Sequence, residues 1–291
     1  MNQQVLYSHA KINVGLRIRG RREDGYHELE TIFYPVKLRD VITISLERND
    51  SGCNSVILKS NKSYIPLNKD NLCYLAFERL FKAFAIRDTY TCVMEIEKHI
   101  PVSGGMGGGS SNAATVIKFL VRQLKIDVPS NKSKLIDLAL SIGSDVPFFL
   151  IMRPCYATGR GEEMRELPSF VIDHDILIVN PNLRVSTKWA FEKMNLKGKP
   201  LKPELLSKIR KFEPSSFEIL KNDFEPVIFD RMSALREVKE KLLEAGAVYA
   251  SLSGSGATLF GVFKKNERTG LRNALRHFQS LGYFTFVSSP G

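Results

Sequence analysis

The amino-acid sequence predicts an α+β fold, and three of its features carry that prediction. Residues 7–19 place an apolar side chain at every second position, which is the period of a β-strand with one buried face. Five glycines within residues 104–109 lead into apolar residues at helical spacing, which indicates a loop followed by an amphipathic helix. The second half of the chain mixes helical patterns with short strands, as an α+β sandwich does.

The first half is predicted to contain strands, then helices on either side of the glycine-rich loop. A turn at 21–25 leads from the first strand into a second strand at 26–36, which we expect to end near Pro35. Gly143 is expected to end the last helix of this half as a C-cap. The elements between them are antiparallel strands at 41–46 and 55–59, a helix at 71–84, a strand at 92–96, the helix after the glycine loop and a helix at 132–142.

The second half begins with short elements. A buried strand is predicted at 146–150 and a hairpin at 157–167. The residue pattern of the sequence changes just after Leu167. We therefore place a domain boundary there, between domains 1–167 and 168–291. The elements that follow are a strand at 176–179, helices at 188–194, 203–211 and 231–245, a strand at 258–263, a helix at 268–281 and a closing strand at 283–287.

Composition indicates a globular protein. Of the 291 residues, 43% are apolar and 25% are charged, and the length suffices for two domains. No stretch approaches the about 18 apolar residues of a membrane span, and residues 1–8 lack the pattern of a signal peptide. The four cysteines are spaced for neither a zinc site nor a disulfide scaffold. We expect a cytoplasmic protein with no membrane partner.

The net charge of +11 is compatible with two kinds of partner. A nucleic-acid-binding protein would cluster its basic residues with aromatic ones on one face, whereas here most are scattered. A basic balance also suits an enzyme that attracts phosphate-bearing substrates. We expect no nucleic-acid partner, and RNA binding remains the alternative from another class. The five histidines show no metal-ligand spacing.

The glycine-rich loop is the strongest functional signal in the chain. Ser110, Ser111 and Asn112 follow it and are expected to cap the next helix with their side chains. Backbone N–H groups would then gather at the positive end of a helix dipole, where a phosphate is the usual ligand. The glycines of the loop are Gly104, Gly105, Gly107, Gly108 and Gly109.

Two common phosphate loops do not match this one. A Walker loop needs a lysine directly before the serine or threonine that follows its last glycine, and none stands before Ser110. The dinucleotide fingerprint needs a third glycine where this chain has Ser110 or Asn112. A flexible hinge is the remaining alternative, but a hinge seldom adjoins a capped helix.

Residues 101–114, from Pro101 through the loop to Ala114, resemble the central motif of the GHMP kinases. Met106 stands where that family usually carries leucine, which conserves volume. Two further motifs resemble the family in the same order, at 10–16 and 252–257. The resemblance implies a ribosomal-protein-like β/α N-terminal domain and a ferredoxin-like C-terminal domain.

The same resemblance implies ATP as co-substrate, with Mg²⁺. Asn71, Leu72 and Lys98 match positions near adenine in relatives, and either Ser110 or Ser111 is expected to meet magnesium or a phosphate oxygen. No protein metal ligands are assigned. The implied phosphate-binding residues are Pro101, Gly104, Gly105, Met106, Gly107, Gly108, Gly109, Ser110 and Ser111.

Lys11 and Asp145 are the implied catalytic residues. Asp145 would accept the proton of the substrate hydroxyl, while Lys11 would polarise that hydroxyl and keep Asp145 ionised. Lys11 and Asn13 lie on the same face of the first strand, because side chains alternate, and Asn13 is expected to bind the substrate. Without the motif, Lys11 would be interpreted as a solvated lysine and Asp145 as a turn residue before proline.

The segment 24–27, Asp-Gly-Tyr-His, resembles the branch of the family whose small-molecule substrate carries a cytidine diphosphate. Tyr26 would stack on cytosine and His27 would hydrogen-bond its edge. Phe191 is the implied second stacking residue, with Trp189 as its rival and a core role as the alternative. A mevalonate- or homoserine-type substrate is the second possibility within the family. We expect a monomer or a weak homodimer.

Overall fold

The structure, a computed structural model, describes residues 3–194, 205, 209, 211–266 and 268–290 and confirms the α+β class. Its residues form two compact units. The first comprises 3–10, Leu38–Ile100 and Gly107–Met152. The second comprises Lys11–Lys37, Pro101–Met106 and the described residues from Arg153 onward.

The first unit packs helices on a small sheet. In this unit β2 (His27–Asn49) pairs antiparallel with β4 (Thr89–Glu97), and β3 (Ser55–Ser60) pairs parallel with β4. Ile42 and Ile44 of β2 and Met94 of β4 are fully buried, as their alternation predicts. The helices are α1 (Leu72–Ala83), α2 (Gly108–Gln123), α3 (Lys132–Ile142) and α4 (Val146–Ile151).

The strand predictions for residues 7–59 need three corrections. β1 (Gln4–Arg21) has no exposed polar face around Lys11 and Asn13, since both side chains are buried. Pro35 does not end β2, because it lies between the residues paired with 155–157 and those paired with β4. β3 is parallel to its neighbour, not antiparallel.

The short apolar run at 146–150 was predicted to be a strand and is helix α4. Periodicity cannot distinguish a buried strand from a buried helix over so few residues. Pro147 stands in the first turn of α4, where its missing N–H costs no helical hydrogen bond. The helix at 132–142 and its end at Gly143 are confirmed.

The second unit contains a hairpin and a four-stranded antiparallel sheet. β5 (Cys155–Thr158) and β6 (Glu163–Glu166) form the predicted hairpin, and β5 also pairs with Thr31–Phe33 of β2. The strands of the sheet are β7 (Asp175–Asn180), β8 (Tyr249–Leu252), β9 (Leu259–Phe263) and β10 (Phe284–Ser288). Their order across the sheet is β10-β7-β9-β8.

Helices cover this sheet and bury a continuous apolar core. The helix predicted at 231–245 is confirmed at 233–244, whereas the helix at 225–231 before it and strand β8 were not predicted. The helix predicted at 203–211 lies largely outside the described residues. The helices of this unit are α5 (Thr187–Lys193), α6 (Glu225–Arg231), α7 (Ser233–Glu244) and α8 (Arg268–Ser280).

A membrane-crossing helix, judged by length and apolar character, is not found among the residues that the structure describes.

Candidate active site

Helix α2 begins inside the glycine loop. Its N-cap is Gly107, which has a φ of 69°, and no side chain caps it among the described residues. The predicted capping by Ser110, Ser111 and Asn112 is therefore wrong, because these residues already lie within the first turns of the helix. The helix N-terminus is instead formed by glycine backbone, as an anion site requires.

Asp145 lies beside the start of this helix. A Cβ atom placed on Gly107 would be 3.5 Å from Asp145 Oδ2 and 2.7 Å from the ring of Phe149. Asp145 is the N-cap residue of α4, and Pro147 fixes the first turn behind it. The first unit thus brings the predicted base next to the predicted phosphate loop, although the two are 38 residues apart in the sequence, since 145 − 107 = 38.

The two serines after the loop have different surroundings. The hydroxyl of Ser111 is buried and donates a hydrogen bond to the carbonyl oxygen of His9 at 2.6 Å. Ser110 is partly exposed, and its Oγ lies 3.8 Å from the position that a Cβ on Gly143 would take. The Ser111 hydroxyl is therefore engaged in a structural hydrogen bond.

A buried polar cluster supports the residues just before the loop. One oxygen of Asp40 accepts hydrogen bonds from the backbone N–H groups of His99 and Ile100, each at 2.8 Å. The other forms an ion pair with Lys98 and accepts from Asn112 Nδ2 at 2.9 Å. Lys98 Nζ also donates to Asn112 Oδ1 at 2.9 Å. We call Asp40, Lys98 and Asn112 the Asp40 cluster.

Asp40 was not among the residues predicted for the site, although the sequence carries one signal for it. Asp40 stands between Leu38 and Ile42 on the buried face of β2, and it is fully buried. An acidic residue in phase with an apolar stripe needs a buried partner, because an unpaired buried charge is costly. Lys98, expected near adenine, is 5% exposed with its ammonium in this cluster.

The other two residues expected near adenine lie at the start of α1. Asn71 caps the helix, with Oδ1 accepting from the backbone N–H of Cys73 at 2.9 Å. Its Nδ2 donates to the carbonyl oxygen of Pro66 at 2.7 Å. Leu72 Cδ1 is 3.4 Å from the position that a Cβ on Gly109 would take, so Leu72 lies beside the loop.

In the second unit, Lys11 is buried on β1. Its Nζ donates to Asn13 Oδ1 at 2.6 Å and lies 4.9 Å from the centroid of the Phe33 ring. Asn13 Nδ2 in turn donates to Thr31 Oγ1 at 3.0 Å. The backbone N–H of Lys11 donates to the carbonyl oxygen of Met106 at 3.1 Å. This unit therefore brings Lys11 and Asn13 to the first half of the loop.

The third motif contacts the same half of the loop. Ser253 Oγ donates to the carbonyl oxygen of Gly105 at 2.9 Å. Gly105 has a φ of 74°, and a Cβ placed on it would be 2.0 Å from the Ser253 carbonyl oxygen. A Cβ on Gly104 would likewise be 2.6 Å from Thr258 Oγ1, so both positions require glycine. The sequence predicted the order of the motifs but not this contact.

The aromatic residues expected at cytosine also lie in the second unit. The rings of His27 and Phe191 stack with centroids 4.2 Å apart and planes inclined by 9°. Burial and the charge of Arg21 lower the pKa of His27. Tyr26 is 54% exposed, whereas Trp189 carries the guanidinium of Arg231 over its ring at 4.9 Å. The structure thus brings Phe191, and not Trp189, to His27.

Two regions of the chain match known domain families. Residues 71–153 match the GHMP kinases N terminal domain, and residues 203–280 match the GHMP kinases C terminal domain. A protein of Chlorobium phaeobacteroides named 4-diphosphocytidyl-2-C-methyl-D-erythritol kinase is 37% identical, over 100% of this chain and 96% of its own. A protein of the same name from Syntrophotalea carbinolica is 38% identical, over 97% and 96%.

Solved structures show the same likeness. The crystal structure of a 4-(cytidine 5'-diphospho)-2C-methyl-D-erythritol kinase has a TM-score of 0.73 and 28% identity, covering 99% of this chain and 100% of its own. Homoserine kinase from Cytophaga hutchinsonii has a TM-score of 0.72 at 16% identity, covering 98% and 94%. The second likeness shows the fold alone.

Proposed function

Because this chain belongs to the GHMP kinase family, we propose that it phosphorylates the 2-hydroxyl of 4-diphosphocytidyl-2-C-methyl-D-erythritol with ATP, in the non-mevalonate route to isoprenoid precursors. The full-length likeness to kinases of that name supports the substrate. The observation that carries the chemistry is the position of the Asp145 carboxylate beside Gly107, at the start of the loop helix. A base next to a phosphate-binding helix N-terminus is what an alcohol kinase needs.

In the proposed reaction, the substrate hydroxyl oxygen attacks the γ-phosphorus of ATP, and the bond to the β,γ-bridging oxygen breaks. Asp145 accepts the hydroxyl proton, and ADP leaves. Lys11 polarises the hydroxyl with its positive charge. Because the transition state is loose, positioning and electrostatic stabilisation contribute more than the strength of the base. Asn13, which holds the Lys11 ammonium at 2.6 Å, is proposed to bind the substrate.

The loop backbone is proposed to bind the ATP phosphates through residues 104–111, with Pro101 and Met106 fixing its first half. Ser110 is the better candidate for a phosphate oxygen or magnesium, because the Ser111 hydroxyl is bound to His9. Magnesium in nucleotide sites takes few protein oxygens besides phosphates and waters, and the Ser110 hydroxyl is an oxygen of a suitable kind. Bound Mg²⁺ would neutralise charge on the β- and γ-phosphates.

Asn71, Leu72 and Lys98 are proposed to border the adenine. The position of Leu72 beside Gly109 supports its proposed place at the adenine, and Asn71 is the residue directly before it. The side chain of Lys98 is engaged by Asp40 and Asn112, so its contribution would come from its stem or backbone.

Cytosine is proposed to bind at Tyr26, His27 and Phe191, and the stacking of His27 on Phe191 supports a shared role for these two rings. We also propose domains 1–167 and 168–291, since the two family matches fall on either side of Leu167. We further propose that the protein is a cytoplasmic monomer or weak homodimer. A reducing cytoplasm suits the four free cysteines.

Turnover of ATP by the purified protein, without RNA, tests the proposal. The acceptors compared are the diphosphocytidyl compound, its uridine analogue, free methylerythritol phosphate, mevalonate and homoserine. We expect the cytidine compound to be used at least about 100-fold better than its uridine analogue, since uracil leaves hydrogen-bonding partners unpaired. Equal use of both pyrimidines, or preference for a small alcohol, would leave only the kinase assignment standing.

A further inference from the structure

The turn of the β5–β6 hairpin lies against the segment that carries Tyr26 and His27. The carbonyl oxygen of Gly159 accepts a hydrogen bond from the backbone N–H of Leu29 at 2.7 Å. The N–H of Gly159 donates to Glu28 Oε1 at 2.9 Å. These two bonds place the next residue of the turn, Arg160, over the ring of Tyr26, with its guanidinium carbon 4.5 Å from the ring centroid.

Arg160 is itself held in place. Its Nε lies 3.3 Å from Glu162 Oε1, and its backbone N–H donates to the other oxygen of the same carboxylate. Glu162 is two residues further along the same turn, so the arginine is oriented by local contacts. The Arg160 side chain is 27% exposed, so most of it is packed against the turn and the Tyr26 ring.

Two hydrogen bonds to neighbouring residues fix the backbone of Tyr26. Its N–H donates to Asp24 Oδ1 at 3.1 Å, and its carbonyl oxygen accepts from the N–H of Arg22 at 2.8 Å. The side chain of Arg22 pairs with Glu28 at 3.1 Å, which closes this small loop on itself. The ring of Tyr26 nevertheless projects into solvent, so its orientation depends on what covers its faces.

We infer that Arg160 is a positioning residue for the cytidine end of the substrate: its guanidinium covers one face of the Tyr26 ring and presents the opposite face to the base. This inference rests on the proposed function. A tyrosine that rotated freely would lose rotational entropy on stacking, whereas a ring already held by a cation loses less. Arg160 lies outside the three GHMP motifs, at 10–16, 101–114 and 252–257.

Replacement of Arg160 measures this contribution. We expect Arg160→Ala to raise KM for the cytidine substrate about two- to fivefold, the range of an exposed cation–π contact, with kcat and KM for ATP unchanged. Arg160→Lys keeps a cation and should show a smaller rise. Arg165→Ala is the matched control, because Arg165 is an exposed arginine of the same hairpin. Equal KM values for Arg160→Ala and wild type, or an equal rise in the control, would overturn the inference.

A double-mutant cycle separates positioning from direct contact with the substrate. If Arg160 acts through Tyr26, then Arg160→Ala should change nothing further in a Tyr26→Ala protein. A full additional two- to fivefold rise in that background would mean that Arg160 contacts the substrate, for instance its diphosphate, and the positioning role would fall.

Activity of the wild-type protein on the cytidine compound distinguishes a failure of the Arg160 inference from a failure of the proposed function. If wild type uses the cytidine compound and Arg160→Ala has an unchanged KM, the inference alone is wrong. If wild type does not use the cytidine compound, both the proposed function and the role of Arg160 fall.

Discussion

The phosphate loop and the aromatic residues proposed for cytosine differ in whether backbone or side chains form the binding surface. The loop consists of glycine backbone, and the Asp40 cluster that supports the residues before it is buried and fully paired. The aromatic region instead relies on side chains, of which Tyr26 is more exposed than buried. Changes in the loop region should therefore affect folding as well as ATP binding, whereas changes in the aromatic region should affect the substrate alone.

The largest effect is expected from Asp145→Asn. The amide cannot accept the hydroxyl proton, so kcat should fall by about 10²- to 10⁴-fold. KM for ATP should stay near the wild-type value, because the loop backbone and not Asp145 is proposed to hold the phosphates. Steady-state kinetics with saturating substrate gives kcat, and calorimetric titration gives the ATP affinity. A variant with nearly full kcat would remove Asp145 from the role of base.

The next largest effect concerns stability. Asp40→Asn leaves the Lys98 ammonium buried without its counter-charge, and we expect a loss of about 3–5 kcal/mol in the free energy of unfolding. Asp88→Asn is the control, since Asp88 pairs with Arg48 at the surface and should contribute at most about 1 kcal/mol. Urea unfolding measures both.

A second substitution tests the cause of that loss. Lys98→Met in the Asp40→Asn protein removes the unpaired charge and should recover part of the stability. If the double variant is no more stable than Asp40→Asn alone, the loss does not arise from the lysine charge.

Tyr26→Ala should affect the substrate without affecting the fold. Loss of stacking contributes about 1–3 kcal/mol, so KM for the cytidine compound should rise about tenfold or more, while KM for ATP stays constant. The melting temperature should change little, because the ring is exposed. A marked loss of stability would show that the aromatic region contributes to folding, and the contrast with the loop region would not hold.

The smallest effect is a pH dependence at His27. Burial and Arg21 disfavour the charged imidazole, so its pKa lies below the usual value of about 6.5. His27 is therefore neutral at neutral pH, and protonation on acidification removes the neutral imidazole that is proposed to hydrogen-bond cytosine. KM for the cytidine compound should be constant above about pH 6.5 and rise below it.

His27→Asn supplies the control for the pH profile. This variant has no titrating group at position 27, so its KM should lose the acid-side rise. A rise that persists in His27→Asn would assign the titration to another group, and a KM for ATP that follows the same profile would make the effect general.

The sequence predicted structure where a feature is local and missed it where a feature depends on distant strands. The glycines and the residues after them form one continuous segment, so their pattern predicts a loop followed by a helix, as the structure has it. Six apolar residues do not distinguish a helix from a strand at 146–151, and Pro35 suggests a strand end although it lies between two ladders. The place of Arg160 over Tyr26 depends on the pairing of β5 with β2, which no local pattern records.

The pairing of Lys98 has a consequence for chemical labelling. Acylating reagents that carry a nucleotide react with lysine amines near ATP, but they need an unprotonated nitrogen that can be reached. Lys98 offers neither, because its nitrogen is an ion-paired ammonium and the residue is almost fully enclosed. Such a reagent should leave Lys98 unmodified in the folded protein and modify it only after denaturation.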